Sequence, residues 1–208
     1  MGGGAVESAL REGGRAPGLK LIETVLWDGR AAPRWPLHLA RLRRSVELLG
    51  WTCPPVAPQG PDHPARLRLT LDGDGLVAWE TAPLPPARPE WRVALAKDRL
   101  SASDPWLQVK STRRALYDQC RAALPGDIDE VIFQNERGEV CEGTITNVFF
   151  DRGDGMRTPP LASGLLPGVL RSELACPEEI LRTDDLNRVR LWVGNALRGL
   201  IPAVFILV

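Results

Sequence analysis

Apolar and polar positions along the chain follow two periods, and the changes between them mark out the elements. Leu19 to Trp27 (L-K-L-I-E-T-V-L-W) predicts a strand, closed by a hairpin-type turn at Asp28-Gly29. After Pro36, Leu39, Leu42, Val46 and Leu49 recur at helical spacing, and Gly50 is a natural stop. Leu67, Leu69 and Leu71 then alternate with polar residues, and D-G-D-G from Asp72 turns the chain into L-V-A-W-E, which predicts a β-hairpin. Trp91 to Ala96 is a further strand, ended by Lys97. A polar stretch follows, and S-T-R-R-A-L-Y-D-Q-C-R-A-A-L from Ser111 predicts a helix stopped by Pro125-Gly126. This places Lys110 at a loop-to-helix junction. Glu130–Phe133 and Val140–Phe150 read as two strands of a hairpin, with Glu142, Thr144, Thr146 and Val148 on one face of the second. The Gly- and Pro-rich run Thr158–Arg171 opens onto a helix near Gly168. Arg188–Val193 is the last central strand, leading through G-N-A-L-R-G-L into an apolar end.

The predicted organisation is a flexible Gly-rich leader over residues 1–17, a small α+β domain over 18–97 and a larger domain over 98–208, divided at the polar loop K-D-R-L-S-A-S-D-P. Formal net charge is zero, so no long-range field steers the chain toward nucleic acid or an anionic membrane. No apolar run is long enough to span a bilayer, and M-G-G-G-A-V-E-S lacks the segments of a signal peptide. Cys53, Cys120, Cys141 and Cys176 are scattered and only His38 and His63 accompany them, which argues against a metal cage and for a cytoplasmic protein. The acidic turn at Asp72 lacks the later carboxylate of a calcium loop, and a D-G turn explains it.

One compositional bias selects a candidate nucleophile. The chain has 23 arginines and only three lysines, Lys20, Lys97 and Lys110. A lysine kept against that bias does what arginine cannot: it loses its proton and attacks a carbonyl. Lys20 and Lys97 sit at strand ends, where a solvated charge is the ordinary reading. Lys110 precedes a hairpin that carries a carboxylate, Glu142. Arg41 borders the apolar stripe of its helix and could reach inward to an anion. The helix start after Gly168 offers free backbone N–H groups to a phosphate.

Five segments in order resemble the class IV aminotransferase family of pyridoxal-phosphate (PLP) enzymes. They are H-L-A-R-L at 38–42, K-S-T-R-R-A-L-Y-D at 110–118, E-G-T-I-T-N-V-F-F at 142–150, T-P-P-L-A-S-G-L-L-P-G-V-L-R at 158–171 and G-N-A-L-R-G-L at 194–200. The resemblance implies fold type IV: a small N-terminal α+β domain and a larger C-terminal domain with barrel-like sheets, the cofactor lying between, commonly as a homodimer. It also implies that Lys110 is the Schiff-base lysine and the base that takes the Cα proton. Glu142 would partner the cofactor ring nitrogen, Arg41 and the backbone of Val169 and Leu170 the phosphate, and Asn195 and Ala196 the phosphate and the substrate carboxylate. The L-I-E-T-V-L-W-D-G start, Arg114 four residues after Lys110, and N-A-L-R-G-L resemble the 4-amino-4-deoxychorismate lyase branch, while Ala115, where branched-chain aminotransferases usually carry a tyrosine, counts against those. That branch makes 4-aminobenzoate and pyruvate from a small amino substrate, a step of folate biosynthesis. The alternative is an aminotransferase for branched-chain or D-amino acids that uses a 2-oxo acid acceptor.

Overall fold

The computed structural model describes residues 3–207. The chain divides into two compact units: Met1–Pro86 with Val109–Arg113, and Ala87–Gln108 with Arg114–Val208. The units break after residues 86, 108 and 113, where the sequence expectation placed one division after residue 97. The residues around Lys97 belong to a strand of the second unit's sheet, while Lys110 belongs to the first unit.

The first unit opens with helix α1 (Gly3–Gly13), inside the stretch expected to be a flexible leader. Its Leu10 is buried, and Trp51 Nε1 donates to the Gly14 carbonyl just beyond the helix at 3.2 Å. Strand β1 (Lys20–Asp28) leads to helix α2 (Trp35–Leu49), then to β2 (Pro64–Asp72) and β3 (Val77–Ala82). The three strands form an antiparallel sheet in the order β1-β2-β3. The alternation read from the sequence fixes its buried face: Leu67, Leu69 and Leu71 are fully buried, each contributing about 2 kcal/mol by leaving water. Helix α2 carries a proline in its first turn and ends on Gly50 in the left-handed conformation (φ 69°). Its buried face is Leu42, Val46 and Leu49, joined by the polar His38, Arg41 and Ser45, while Arg43 and Arg44 face solvent. The acidic turn is an internal structure, since Asp72 Oδ1 accepts from the N–H groups of Asp74 and Leu76.

The second unit contains β4 (Trp91–Leu100), helix α3 (Ala115–Ala122), β5 (Glu130–Asn135), β6 (Val140–Gly143), β7 (Asn147–Asp151), the short β8 (Met156–Arg157), helix α4 (Val169–Leu174), β9 (Arg190–Asn195) and β10 (Gly199–Phe205). Hydrogen bonding runs in the order β6-β5-β4-β10-β9-β7-β8, and β6 also pairs with β7, so six strands close into a barrel with β8 outside the ring. The sheet is mixed: β4 lies parallel to both β5 and β10. One buried cluster joins Val93, Ile132, Val148, Phe150, Leu191 and Val193, and another gathers Leu100, Leu107, Phe133, Cys141 and Leu165. Adjacent residues such as Ile132 and Phe133 therefore serve opposite faces. Among the described residues no helix is long and apolar enough to cross a membrane.

The long strand expected over Val140–Phe150 is instead two strands. The chain turns back at 144–146, so Glu142 pairs with Asn147 across an antiparallel bridge, and the face once assigned to Glu142, Thr144, Thr146 and Val148 does not exist. The turn is held by Glu130, which is fully buried. Its carboxylate accepts from Thr144 Oγ1 (2.5 Å), the Ile145 N–H (3.2 Å) and Thr146 Oγ1 (3.1 Å). Gly143 makes room for this: a Cβ there would lie 2.4 Å from Thr146 Oγ1 and 2.8 Å from the Glu130 carboxyl carbon.

Candidate active site

In the first unit the candidate chemistry gathers on β1. Lys110 is not at the mouth of a helix, because α3 begins only at Ala115. Its segment runs antiparallel beside β1: the Ile22 N–H donates to the Lys110 carbonyl at 2.9 Å, the Thr112 N–H to the Lys20 carbonyl at 2.8 Å, and the Lys20 N–H to Thr112 Oγ1 at 3.0 Å. Leu21 and Ser111 form the bridge between them. The lysine backbone is thus fixed to a sheet, and its side chain is half-buried.

One residue along from Ile22, Glu23 is buried and takes two hydrogen bonds from Arg41, Nε to Oε1 at 2.9 Å and Nη2 to Oε2 at 2.5 Å. His38 Nδ1 lies 2.6 Å from the same Oε2. Arg41 does reach inward, as its place beside the apolar stripe suggested, and the anion it meets is this carboxylate. Burial alone would raise the Glu23 pKa, but the Arg41 charge, with the His38 and Arg41 hydrogen bonds, outweighs it and brings the group down to about 2. His38 Nε2 is buried with no hydrogen-bond partner among the described residues.

In the second unit Glu142 is buried at the end of β6 and oriented from two sides. Tyr117 O–H on α3 donates to Oε1 at 2.8 Å, and the Leu166 N–H donates to Oε2 at 3.0 Å. Tyr117 packs edge-on against Phe133, with ring centroids 5.0 Å apart. Burial first, then the Glu142 carboxylate, pushes the Tyr117 pKa far up, so the phenol remains a donor. Arg114 donates from Nε to Asp118 at 2.8 Å and from Nη2 to the Thr144 carbonyl at 3.1 Å. Sequence reading missed Tyr117 and Glu130 as organisers; the available signal was a lone tyrosine on the helix after Lys110 and a carboxylate inside an apolar strand.

The other candidates lie close along this sheet. Helix α4 starts at Val169 after Gly168, with no side chain capping it, and its first N–H groups lack partners within the helix. Asn147 lies hard against Gly168, where a Cβ would come within 1.8 Å of Asn147 Oδ1, and Asn147 Nδ2 donates to the Leu166 carbonyl at 2.9 Å. The backbone of Leu166 thus serves both side chains, its N–H binding Glu142 and its carbonyl Asn147. Gly194 lies close to this helix too: a Cβ there would sit 2.7 Å from Leu170 Cδ2. The Asn195 side chain is committed to structure. Its Oδ1 accepts from the Leu197 and Arg198 N–H groups, and its Nδ2 donates to the Ile145 carbonyl at 3.1 Å. Ala196 beside it is buried.

A model of the amino-transferase class IV family matches residues 20–206. A curated relative from Schizosaccharomyces pombe, provisionally named an aminodeoxychorismate lyase, is 32% identical over 208 residues, covering 90% of each chain. A solved structure from Mesorhizobium loti, provisionally named an amino-acid aminotransferase, is 42% identical with a TM-score of 0.84, covering 90% of this chain and 100% of that one. The 4-amino-4-deoxychorismate lyase of Pseudomonas aeruginosa has the same fold at 20% identity, with a TM-score of 0.73 and coverage of 89% and 82%. The family match spans nearly the whole sequence and agrees with the closed barrel, so this chain belongs to the class IV aminotransferase family of fold-type IV, PLP-dependent enzymes.

Proposed function

We propose that the protein is a 4-amino-4-deoxychorismate lyase that forms 4-aminobenzoate and pyruvate. The observation that carries the cofactor part of this reading is the fixed carboxylate of Glu142, aimed by an O–H and an N–H donor. Each unit offers groups of the kind PLP takes: the first a primary amine at Lys110 and an arginine gripped by Glu23, the second an oriented carboxylate at Glu142 and an uncapped helix start at Val169 and Leu170. Lys110 would carry the cofactor, Arg41 and the N–H groups of Val169 and Leu170 would bind its phosphate, and Glu142 would hold a proton on its ring nitrogen.

Bound PLP supplies a sink for the electron pair left when a proton departs from the carbon bearing the substrate amino group. Lys110 Nζ, once the substrate amine has displaced it, would take that proton. The C–O bond between the ring and the enolpyruvyl group would then break, the ring becoming aromatic, and the departing enolate would take up a proton on its methylene carbon to give pyruvate. The guanidinium of Arg114, anchored on Asp118 and Thr144, supports recognition of a substrate carboxylate. The backbone of Asn195 and Ala196 lines the same turn region, the Asn195 side chain being spent on the turn itself.

The lyase reading is favoured by the relative that shares its name across 90% of both chains. A second reading, an amino-acid aminotransferase, is favoured by the 42% identity to the Mesorhizobium loti protein. Purified protein given PLP and aminodeoxychorismate without any 2-oxo acid separates them. The lyase releases 4-aminobenzoate and pyruvate in equal, catalytic amounts, whereas an aminotransferase releases neither and turns over an amino acid only with a 2-oxo acid.

A further inference from the structure

We propose that Tyr117 is a positioning residue that sets the proton balance between Glu142 and the cofactor ring nitrogen. This rests on the assignment of Glu142 as the partner of that nitrogen. Tyr117 O–H donates to Glu142 Oε1 at 2.8 Å, while the Leu166 N–H fixes Oε2 at 3.0 Å. The tyrosine is itself fixed, edge-on to Phe133 and with the Arg114 guanidinium carbon 5.8 Å from its ring centroid. Arg114 is in turn tied to Asp118 on the same helix. The hydroxyl therefore has one geometry and one acceptor.

A donor to a carboxylate stabilises the charged form and lowers its appetite for a proton. A carboxylate so stabilised can attract a pyridinium N–H without taking the proton from it. Remove the hydroxyl, and Glu142 becomes more basic and loses the donor that fixes Oε1. The shared proton then moves from nitrogen toward oxygen, and the ring becomes a poorer electron acceptor. No bond other than N–H and O–H changes. The burial that keeps the Tyr117 phenol protonated makes the donation persist at any working pH.

The test uses holoenzyme reconstituted with PLP labelled with nitrogen-15 in the ring, whose chemical shift reports protonation of that nitrogen directly. In the unaltered protein the shift is that of a pyridinium. Tyr117→Phe, which keeps the ring packed on Phe133, moves it toward the neutral value and lowers kcat roughly tenfold, the scale of a hydrogen bond to a charged group, with KM little changed. Tyr117 is the one tyrosine of the chain, so biosynthetic 3-fluorotyrosine alters this hydroxyl alone. Its more acidic donor keeps the shift at or beyond the unaltered position, opposite in direction to the phenylalanine variant. Glu142→Gln separates the two layers of the argument. If it leaves the pyridinium shift intact, the assignment of Glu142 itself is wrong. If it abolishes the pyridinium shift while Tyr117→Phe leaves it untouched, Glu142 stands and the role given to Tyr117 is overturned.

Discussion

Arg41 grips the buried Glu23 with two nitrogens, Nε at 2.9 Å and Nη2 at 2.5 Å, inside the first unit. The pair has His38 as a third member at 2.6 Å. It holds Arg41 in one geometry, and it links stability to pH. Glu23 falls from its ordinary 4.5 to about 2. A depressed carboxyl contributes its stability above the unfolded value and loses it as pH falls through the folded one. The contribution, about 3 kcal/mol, is therefore whole above pH 4.5 and fades between pH 4.5 and 2. Denaturant unfolding across that window should show the decline, and Glu23→Gln should flatten it.

Glu23→Gln at neutral pH leaves the buried Arg41 without its counter-charge. The expected loss is about 3–5 kcal/mol in urea unfolding, far more than an exposed pair would cost. A loss below 1 kcal/mol would contradict the buried-pair account.

Lys110→Ala should leave the fold alone, since the Lys110 carbonyl bond to Ile22 and the Thr112 bonds to Lys20 involve no Lys110 side-chain atom. Turnover should fall by roughly a thousandfold or more with loss of the base. Circular dichroism and a melting curve check the first point, and a product assay the second.

Gly168→Ala tests the approach of Asn147 to the start of α4. The glycine has an ordinary φ of −68°, so no backbone strain is involved. The new methyl would fall 1.8 Å from Asn147 Oδ1 and displace the side chain that bonds the Leu166 carbonyl. We expect a cost of about 1–3 kcal/mol from overpacking and weaker PLP binding, read by thermal unfolding and cofactor titration.

Arg114→Ala should raise KM for aminodeoxychorismate roughly tenfold through the loss of a charge-assisted contact, with a smaller effect on kcat. Steady-state kinetics with and without the substitution settle it, and an unchanged KM would remove Arg114 from substrate recognition.

Much of the frame was legible in the sequence because simple periodicities decide it. The alternating leucines of β2 and the helical stripe ended by Gly50 in α2 appear where the pattern puts them. The turn at 144–146 was not legible. Thr-Ile-Thr is β-branched and reads as strand, yet Glu130, distant in sequence, offers its carboxylate to two hydroxyls and an N–H and bends the chain. Ser111–Arg114 looked like a helix start, but Thr112 bonds Lys20 instead and places Lys110 beside β1. The Gly-rich composition of the first residues concealed α1, whose Leu10 is buried. Among the candidate site residues, Lys110, Glu142 and Arg41 stood out by type and context. Tyr117 and Glu23 did not, because each matters through contacts made only on folding.

The most direct measurement is reductive trapping of PLP on the purified protein, followed by peptide mass spectrometry. With three lysines in the chain, the modified peptide identifies the cofactor-bearing amine outright. The account predicts one phosphopyridoxyl group, on Lys110, and none on Lys20 or Lys97. Modification at either of those lysines instead, or at none, would contradict it.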